Sequence, residues 1–193
     1  MALTSLETVS ASLDIILNIL AKAGLADYVG EPISQLEHSL QSAHWARKAG
    51  APDHAVIAAL LHDVGHLQAP ANAERMADLG VVAHEKYGSE FLAGLGFGPE
   101  VCALVLGHVE AKRYLVFRNT AYFQRLSDAS RQTLGYQGGP MDAVEAARFE
   151  ADPLFKLKLA LREWDERAKI PNLEMPDLDS YRPLLRDHLL QYL

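Results

Sequence analysis

Three side chains that bind metal ions lie close together in an otherwise apolar stretch. His62, Asp63 and His66 occur in the sequence AVIAALLHDVGHLQ, which covers residues 55–68. On a helix, His62 and His66 stand one turn apart on the same face, whereas Asp63 is rotated by about 100° from His62. Burying imidazole and carboxylate groups is costly unless a partner satisfies them, and a metal ion would do so. Because a carboxylate has two oxygens, Asp63 could bridge two ions.

Other histidines have the positions that such a site needs. A single histidine with apolar neighbours is more often a core or surface residue than a ligand, and we interpret His44, His54 and His188 in this way. A histidine upstream of the HD pair, two more downstream and a late aspartate form a much more specific set. The predicted ligands are His38, His62, Asp63, His66, His84, His108 and Asp165.

The type and number of these ligands indicate two ions. Nitrogen and oxygen ligands without cysteine suit iron, manganese or zinc, and seven ligands exceed the needs of one ion. With Asp63 as the bridge, the other six divide into two sets of three: His38, His62 and Asp165 for one ion, and His66, His84 and His108 for the other. This division leaves coordination positions open for a substrate or for oxygen.

The composition indicates a globular protein with one core. The chain has 193 residues, of which 49% are hydrophobic and 22% are charged, and this length favours one domain. The net charge of -7 argues against a general affinity for nucleic acid, although a small anion could still meet local positive charge. Cys102 is the only cysteine, so an intrachain disulfide is excluded.

The sequence carries no pattern typical of export or of membrane insertion. Its N-terminus lacks a basic region followed by an apolar core and a cleavage site. No apolar run approaches the roughly 18 residues that span a bilayer. We therefore expect a cytoplasmic protein without a membrane partner. The apolar terminal helices are compatible with a monomer or a dimer.

The elements that must position the ligands are all predicted to be helices. Apolar side chains recur with helical spacing, and no strand pattern outweighs them. Ser34 and Glu37 have the spacing of a capping box, as do Thr4 and Glu7, and Gly24 is expected to end the first helix. Residues 69–82 are predicted to be a loop with a short helix. Helices are predicted at 4–23, 34–49, 52–68, 83–95, 99–115, 119–134, 141–150, 153–168 and at the C-terminal end. The predicted fold is one all-α domain.

Several longer motifs resemble those of a known family. The pattern H…HD…D is similar to that of the HD-domain superfamily, an all-helical metal-binding fold that includes many phosphohydrolases. The surrounding motifs resemble those of the PhnZ-type HD oxygenases, from about residue 27 to 168: DYVGE, QLEHSLQ, AALLHDVGH, HEKYG, GHVEAKRYL, LSDAS, YQGGPM and REWDE. The resemblance implies a single HD-domain helical bundle over residues 1–193, with terminal helices that flank the family-like region.

The resemblance also implies a cofactor and a reaction. Members of this family contain two iron ions in a mixed-valent Fe(II)/Fe(III) pair and use O2 as a co-substrate. They cleave the carbon–phosphorus bond of 1-hydroxyalkylphosphonates and release phosphate with a carboxylic acid. Carried over by motif, His38, His62, Asp63 and Asp165 hold the first iron, and Asp63 bridges to the second iron on His66, His84 and His108.

Further positions match residues near the family's substrate. Tyr28 matches a tyrosine that ligates the first iron in the resting site, and we count it as catalytic together with His62 and Asp63. Glu31 matches an acidic residue near the substrate's amino end. Three more positions match residues around the phosphonate: Lys112, Ser130 and Arg162. Lys112 is one turn beyond His108, and Arg162 is one turn before Asp165; the alternative is that both are surface charges.

Two kinds of alternative stay open from the sequence. The chain could be a metal-dependent phosphohydrolase acting on a nucleotide or phosphate ester, or a binding module without catalysis. Among oxygenase substrates, the primary amine (2-amino-1-hydroxyethyl)phosphonate would give glycine, and its N-trimethyl form would give glycine betaine. We expect the N-trimethyl form, because Tyr28 offers aromatic surface and Glu31 is the one evident acidic group. Trp45 shares the helix face of His38 and could add aromatic surface, but core packing is the preferred interpretation of this residue.

Overall fold

The protein is built from helices that surround one buried helix. The computed structural model describes residues 5–23, 27–28 and 30–193. Within these residues it has eleven α-helices and no strand, so the prediction of an all-α fold is confirmed. The helices are α1 (Ser5–Ala23), α2 (Gln35–Lys48), α3 (Asp53–Leu61), α4 (Gly65–Gln68), α5 (His84–Gly94), α6 (Pro99–Arg118), α7 (Thr120–Arg125), α8 (Asp128–Tyr136), α9 (Ala143–Glu150), α10 (Phe155–Arg167) and α11 (Arg182–Tyr192).

Helix α3 lies at the centre of the core. Its residues 55–61 are all buried, as expected for a helix that is apolar on every face. It packs against α2, α6, α10 and α11. Helices α2 and α6 both also contact α10, so these three helices pack together around α3. The predicted ligands of those helices lie close to His62 and Asp63, which follow α3 directly.

The central helix is shorter than the sequence predicts. It ends at Leu61, and α4 begins only at Gly65. In between, the amide of Val64 donates to the carbonyl of Leu61 at 3.1 Å, so the chain tightens into a three-residue turn. At about three residues per turn, side chains four apart diverge by roughly 120°. The prediction of one continuous helix that carries both His62 and His66 is therefore wrong.

A close contact between two backbones explains this break. A Cβ atom on Gly65 would lie 1.8 Å from the carbonyl oxygen of His84, at the start of α5. Only glycine allows this approach. The contact brings α4 against α5, and a continuous helix through residue 68 would separate them. A tertiary contact has therefore overridden the helical pattern of the sequence.

The remaining differences concern helix ends and connections. The predicted helix at 119–134 is divided into α7 and α8, because the Ser127 side chain accepts from the Ser130 amide and starts a new helix. The short helix expected within 69–82 is absent from that stretch, all of which the structure describes. The capping box of Ser34 and Glu37 is confirmed. Thr4 and Gly24 lie outside the described residues.

The flanking helices cover the core on the side away from the predicted ligands. Helix α1 packs against α11, and a short 3-10 turn at Leu178–Tyr181 leads into α11. Tyr181, Leu185 and Leu189 from this C-terminal region are completely buried. None of the helices that the structure describes combines the length and the apolar character needed to cross a membrane.

Candidate metal centre and substrate pocket

Five of the helices and the turn after α3 bring the predicted ligands together. His38 comes from α2, His62 and Asp63 from the turn after α3, and Asp165 from α10. Helices α5 and α6 contribute the remaining pair, and α4 carries His66. Six of the seven predicted ligands are buried: His38, His62, Asp63, His84, His108 and Asp165. Such burial of imidazoles and carboxylates is stable only where each group is satisfied.

The first cluster consists of His38, His62 and Asp165. The Nε2 atoms of the two histidines are 3.1 Å apart. Asp165 Oδ1 lies 3.4 Å from His38 Nε2 and 3.9 Å from His62 Nε2. One ligand atom from each residue therefore faces a common point, as a metal ion requires.

The second cluster consists of Asp63, His84 and His108. The Nε2 atoms of its two histidines are 3.0 Å apart. Asp63 Oδ1 lies 3.3 Å from His84 Nε2 and 3.5 Å from His108 Nε2. The arrangement repeats that of the first cluster, with a different carboxylate.

Asp63 connects the two clusters because its two oxygens face opposite ways. While Oδ1 faces the second cluster, Oδ2 lies 3.7 Å from His38 Nε2 and 3.5 Å from His62 Nε2. A carboxylate so placed can contribute one oxygen to each of two ions. This is the arrangement that a bridging role for Asp63 would need.

The hydrogen bonds of the imidazoles indicate which nitrogens are free to bind a cation. In His38, His62 and His108, Nδ1 lies 2.7–2.9 Å from a backbone carbonyl, which only accepts, so Nδ1 carries the proton. A neutral ring then has a lone pair on Nε2. Two such lone pairs 3.1 Å apart, on His38 and His62, repel each other unless a cation lies between them. The donor set therefore fits a metal ion.

His66 is the one predicted ligand that lies apart from the clusters in this structure. Its ring stacks on that of His84, with centroids 3.9 Å apart, and its Nδ1 accepts a hydrogen bond from the Val81 amide at 3.1 Å. Burial and the neighbouring His84 lower the pKa of His66 to about 3, so the ring is neutral, as a ligand must be. The assignment of His66 to the second ion stays a prediction.

Both aspartates are ionised despite their burial. Burial alone would raise the pKa of Asp165, but the Arg162 guanidinium overcomes this and holds that pKa well below its ordinary value. Arg162 Nη1 donates to Asp165 Oδ2 at 2.6 Å. For Asp63, burial is likewise opposed by His62 and His84, and its pKa is also lowered. Charged carboxylates are the form that coordinates a metal.

Tyr28 lies against the first cluster. Its ring stacks on that of His38, with centroids 4.0 Å apart and planes 13° from parallel. Burial, and then the charges of Asp63 and Asp165, raise the pKa of Tyr28 well above its ordinary value. The phenol is therefore protonated in the absence of a metal. Its position matches the predicted role beside the first ion.

A cavity of about 120 Å³ lies beside the two clusters. Its walls include all five of the residues predicted to contact substrate, together with Asp63, His66, His84, His108 and Asp165. The five are Tyr28, Glu31, Lys112, Ser130 and Arg162. The interpretation of Lys112 and Arg162 as surface charges is wrong, because both are buried.

Lys112 is a buried cation without a carboxylate partner among the described residues. Its Nζ donates to Thr133 Oγ1 at 2.9 Å and approaches the Ser130 carbonyl at 3.4 Å. Burial and the nearby Arg162 lower the pKa of Lys112 to about 7. A bound anion would compensate this cost, so the contacts of Lys112 favour an anionic ligand in the cavity.

Arg162 is held by more partners than the sequence indicates. Besides Asp165, its Nε donates to Glu166 Oε1 at 2.8 Å and to the Tyr122 hydroxyl at 3.2 Å. Its Nη2 lies 3.5 Å from Ser130 Oγ. Sequence reasoning missed Glu166 and Tyr122. The spacing of four between Arg162 and Glu166 on one helix could have revealed the first; nothing local identifies the second.

Lys169 lines the cavity and was also missed by sequence reasoning. Its Nζ donates to Glu31 Oε1 at 2.8 Å, across 138 positions of the chain. Lys169 follows Asp165 by four residues, and Arg162 precedes it by three. Such spacings suggest neighbouring side chains and could have drawn attention to Lys169. Trp45, by contrast, is absent from the cavity wall. The centroid of its ring lies 4.1 Å from the Arg167 guanidinium carbon, and the side chain packs against the hydrophobic core, so the interpretation of Trp45 as a packing residue is confirmed.

The fold and the clusters agree with a family that the sequence identifies directly. The model of the HD domain matches residues 36–154, more than half of the chain. The protein therefore belongs to the HD-domain family. Asp165, the last predicted ligand, lies beyond the matched residues.

Three relatives narrow the position of the chain within that family. It is 40% identical over 168 residues to the [1-hydroxy-2-(trimethylamino)ethyl]phosphonate dioxygenase (glycine-betaine-forming) of Leisingera caerulea, covering 87% of this chain and 85% of that protein. It is 41% identical over 155 residues to the hydroxymethylphosphonate dioxygenase of Gimesia maris, covering 80% and 77%. It is also 37% identical over 186 residues to the uncharacterised protein L432 of Acanthamoeba polyphaga mimivirus, covering 96% and 85%. The resemblance to PhnZ-type HD proteins is confirmed.

Proposed function

We propose that this protein is an O2-dependent di-iron oxygenase that cleaves the carbon–phosphorus bond of a 1-hydroxyalkylphosphonate. The products are inorganic phosphate and a carboxylic acid. The atoms balance, because one substrate dianion and one O2 give one carboxylate, one hydrogen phosphate and one proton. The four electrons that O2 accepts come from the substrate, so the net reaction needs no outside reductant.

The candidate clusters support the metal part of this proposal. His38, His62 and Asp165 would hold the first iron, and His84 with His108 the second, while Asp63 contributes one oxygen to each. We assign His66 to the second iron as well. Bound iron would supply the one-electron chemistry that lets O2 react with a carbon–hydrogen bond. The family relatives whose names specify phosphonate dioxygenases favour iron over manganese or zinc.

The cations of the cavity support the phosphonate part. Lys112 has no carboxylate partner among the described residues, and its charge faces the space beside both clusters. Ser130 Oγ and Arg162 Nη2 lie on the same side. Together these groups would bind phosphonate oxygens and turn the adjacent carbon towards the metal ions. Charge-assisted hydrogen bonds of this kind orient as well as bind.

Tyr28 would control access to the first cluster. Its stacked position on His38 places the phenol beside Asp63 and Asp165, whose charges keep it protonated. An entering substrate hydroxyl would displace it from this position. The buried walls of the cavity then separate the reacting carbon from bulk water, which limits side reactions.

The observation that carries this proposal is the pair of buried clusters joined by Asp63. A phosphohydrolase acting on a nucleotide remains the second candidate, since many HD proteins are hydrolases. The histidine-rich second cluster and the phenol against the first favour the oxygenase. No feature of the described residues favours the hydrolase specifically.

Anaerobic assay separates the two candidates. The protein is loaded with ferrous iron without oxygen and mixed with hydroxymethylphosphonate or either aminoethyl phosphonate. We expect phosphate to appear only after oxygen is admitted, with an electron paramagnetic resonance signal of a coupled mixed-valent pair. Equal phosphate release under strict anaerobiosis, or release from phosphate esters alone, would establish hydrolysis instead.

The group attached to the substrate's C1 is the finer question. The sequence favours the N-trimethyl substrate over the primary amine, and one relative carries the name of that activity. The other named relative acts on hydroxymethylphosphonate, which has no amino group. Tyr28 and Glu31 are the cavity residues that we assign to this part of the substrate, so their contacts bear on the question.

A further inference from the structure

Lys169 lies where the sequence predicts the positive charge of the substrate. Glu31 is the residue predicted to meet a substrate ammonium, but its Oε1 accepts a hydrogen bond from Lys169 Nζ at 2.8 Å. Tyr28 is predicted to offer an aromatic face, and the same Nζ lies 5.9 Å from the centroid of its ring. Both features that would recognise a substrate cation are therefore already used by a cation of the protein.

The ammonium of Lys169 has a full set of partners. Besides Glu31, its Nζ donates to Ser127 Oγ at 3.1 Å and approaches Ser130 Oγ at 3.5 Å. These three acceptors match its three N–H groups. The side chains of Lys169 and Glu31 are only 15% and 11% exposed. A competing cation would have to break a shielded ion pair, which is much stronger than one at the surface.

The other charges around the cavity do not compensate for this. Among the described residues of the cavity wall, the carboxylates are Glu31, Asp63 and Asp165. Two of them face the metal clusters, and Glu31 is neutralised by Lys169. Arg75 and Arg162 add positive charge to the same wall, as does Lys112 when it is protonated. The cavity thus attracts an anion, whereas a positive charge on the same ligand would meet Lys169 at the position of Glu31.

We propose that Lys169 is a specificity-determining residue that excludes cationic substrates. On this proposal, which rests on the proposed function, the substrate class is 1-hydroxyphosphonates without an amino group, with hydroxymethylphosphonate as the smallest example. A trimethylammonium group donates no hydrogen bond and cannot replace the Lys169 contact to Glu31. This differs from the preference derived from the sequence, which assigned Glu31 to the substrate's cation.

A binding comparison without turnover tests the proposal. The iron-loaded protein is titrated under strict anaerobiosis with hydroxymethylphosphonate and with [1-hydroxy-2-(trimethylamino)ethyl]phosphonate. We expect the first to bind at least about tenfold more tightly, a difference of about 1.4 kcal/mol. In Lys169→Met, which removes the charge and retains an apolar chain, the ratio should move at least about tenfold towards the cationic ligand.

Two further variants make the comparison specific. Lys156→Met removes a positive charge from an exposed position on α10, outside the cavity wall, and should leave the ratio of dissociation constants unchanged. Lys169→Gln retains a donor for Glu31 without the charge, and its ratio should move in the same direction as that of Lys169→Met. This second variant keeps the test valid if the methionine variant does not fold.

The outcomes distinguish this proposal from the oxygenase proposal. Equal or tighter binding of the cationic phosphonate by the unmodified protein would overturn the role of Lys169. So would a ratio that neither Lys169 variant changes, or a failure of both ligands to bind the unmodified protein. Phosphate release after oxygen is admitted is scored separately. Its absence with every phosphonate would refute the oxygenase, while the binding ratio would still decide the specificity.

Discussion

The two candidate metal clusters have similar ligands but differ in how those ligands are held. In the first, His38 and His62 each donate through Nδ1 to a backbone carbonyl, and Arg162 donates to Asp165. In the second, His108 has such a bond, whereas Nδ1 of His84 has no hydrogen-bond partner within the described part of the chain. The first cluster is therefore supported at every ligand.

This difference indicates that the two ions are bound with unequal strength. Hydrogen bonds to the outer nitrogen of a ligating histidine fix its tautomer and its orientation. Where they are present, metal binding requires little rearrangement. The second cluster must orient His84 on binding, and His66 must leave the Val81 amide before it can contribute. We expect the first ion to be bound more tightly than the second.

The largest effect should follow from removing the ligand that both clusters share. Asp63→Ala eliminates an oxygen from each candidate site, so the reconstituted variant should retain neither ion. Asp53→Ala, at the exposed start of α3, is a matched control and should keep both. Metal content is measured by mass spectrometry after gel filtration. A full complement in the Asp63 variant would exclude a bridging role.

Removing a hydrogen bond that holds a ligand of the first cluster should reduce the difference in affinity between the two ions. Arg162→Ala leaves Asp165 buried without its main counter-charge, so affinity for the first ion should fall by about 10–100-fold. Arg167→Ala, at an exposed position on the same helix, should leave that affinity unchanged. Competition with a chelator measures both variants. Unchanged affinity in Arg162→Ala would mean that its bond to Asp165 has no role in metal binding.

Chelation of the unmodified protein should release the two ions in two phases. The earlier phase is expected from the second cluster, because His84 lacks a hydrogen bond at Nδ1. His84→Ala should therefore lack the earlier phase and keep the later one. Release kinetics are followed with a chromogenic chelator. If His84→Ala loses the slower phase instead, the order of the two clusters is reversed.

The smallest effect is expected at His66. Its ring lies outside the cluster of Asp63, His84 and His108, so His66→Ala should weaken the second ion less than His84→Ala does. The measurement is the chelator concentration at half release for each variant. Equal weakening would show that His66 moves into the cluster when metal binds, as the sequence resemblance implies.

The all-helical fold and most of the candidate site could be predicted because they depend on residue type. Imidazoles and carboxylates on apolar helices are costly to bury unless a partner satisfies them, and the structure brings six of the seven predicted ligands into two clusters. Their assignment as ligands stays a prediction. The break after Leu61 could not be predicted, because it depends on the contact between Gly65 and the His84 carbonyl, which only the folded chain reveals.

The contacts of the residues predicted to bind substrate were less predictable, because they too depend on the folded chain. The charges of Glu31, Lys112 and Arg162 were evident from the sequence, but their partners were not. Lys169 meets Glu31 from the far end of the chain, and Trp45 packs against a surface arginine rather than the cavity. Counting charged residues gives the sign of each group. It does not show which of them the protein has already neutralised.

The pair of Glu31 and Lys169 also predicts which substitutions this protein tolerates. If either residue is lost alone, the other is left as a poorly solvated charge, at a cost of about 1–3 kcal/mol. Either single substitution is therefore disfavoured, although losing both together leaves no unpaired charge. Lineages that acquire a different residue at one position should carry a compensating change at the other, so the two sites should co-vary across homologues despite the 138 positions between them.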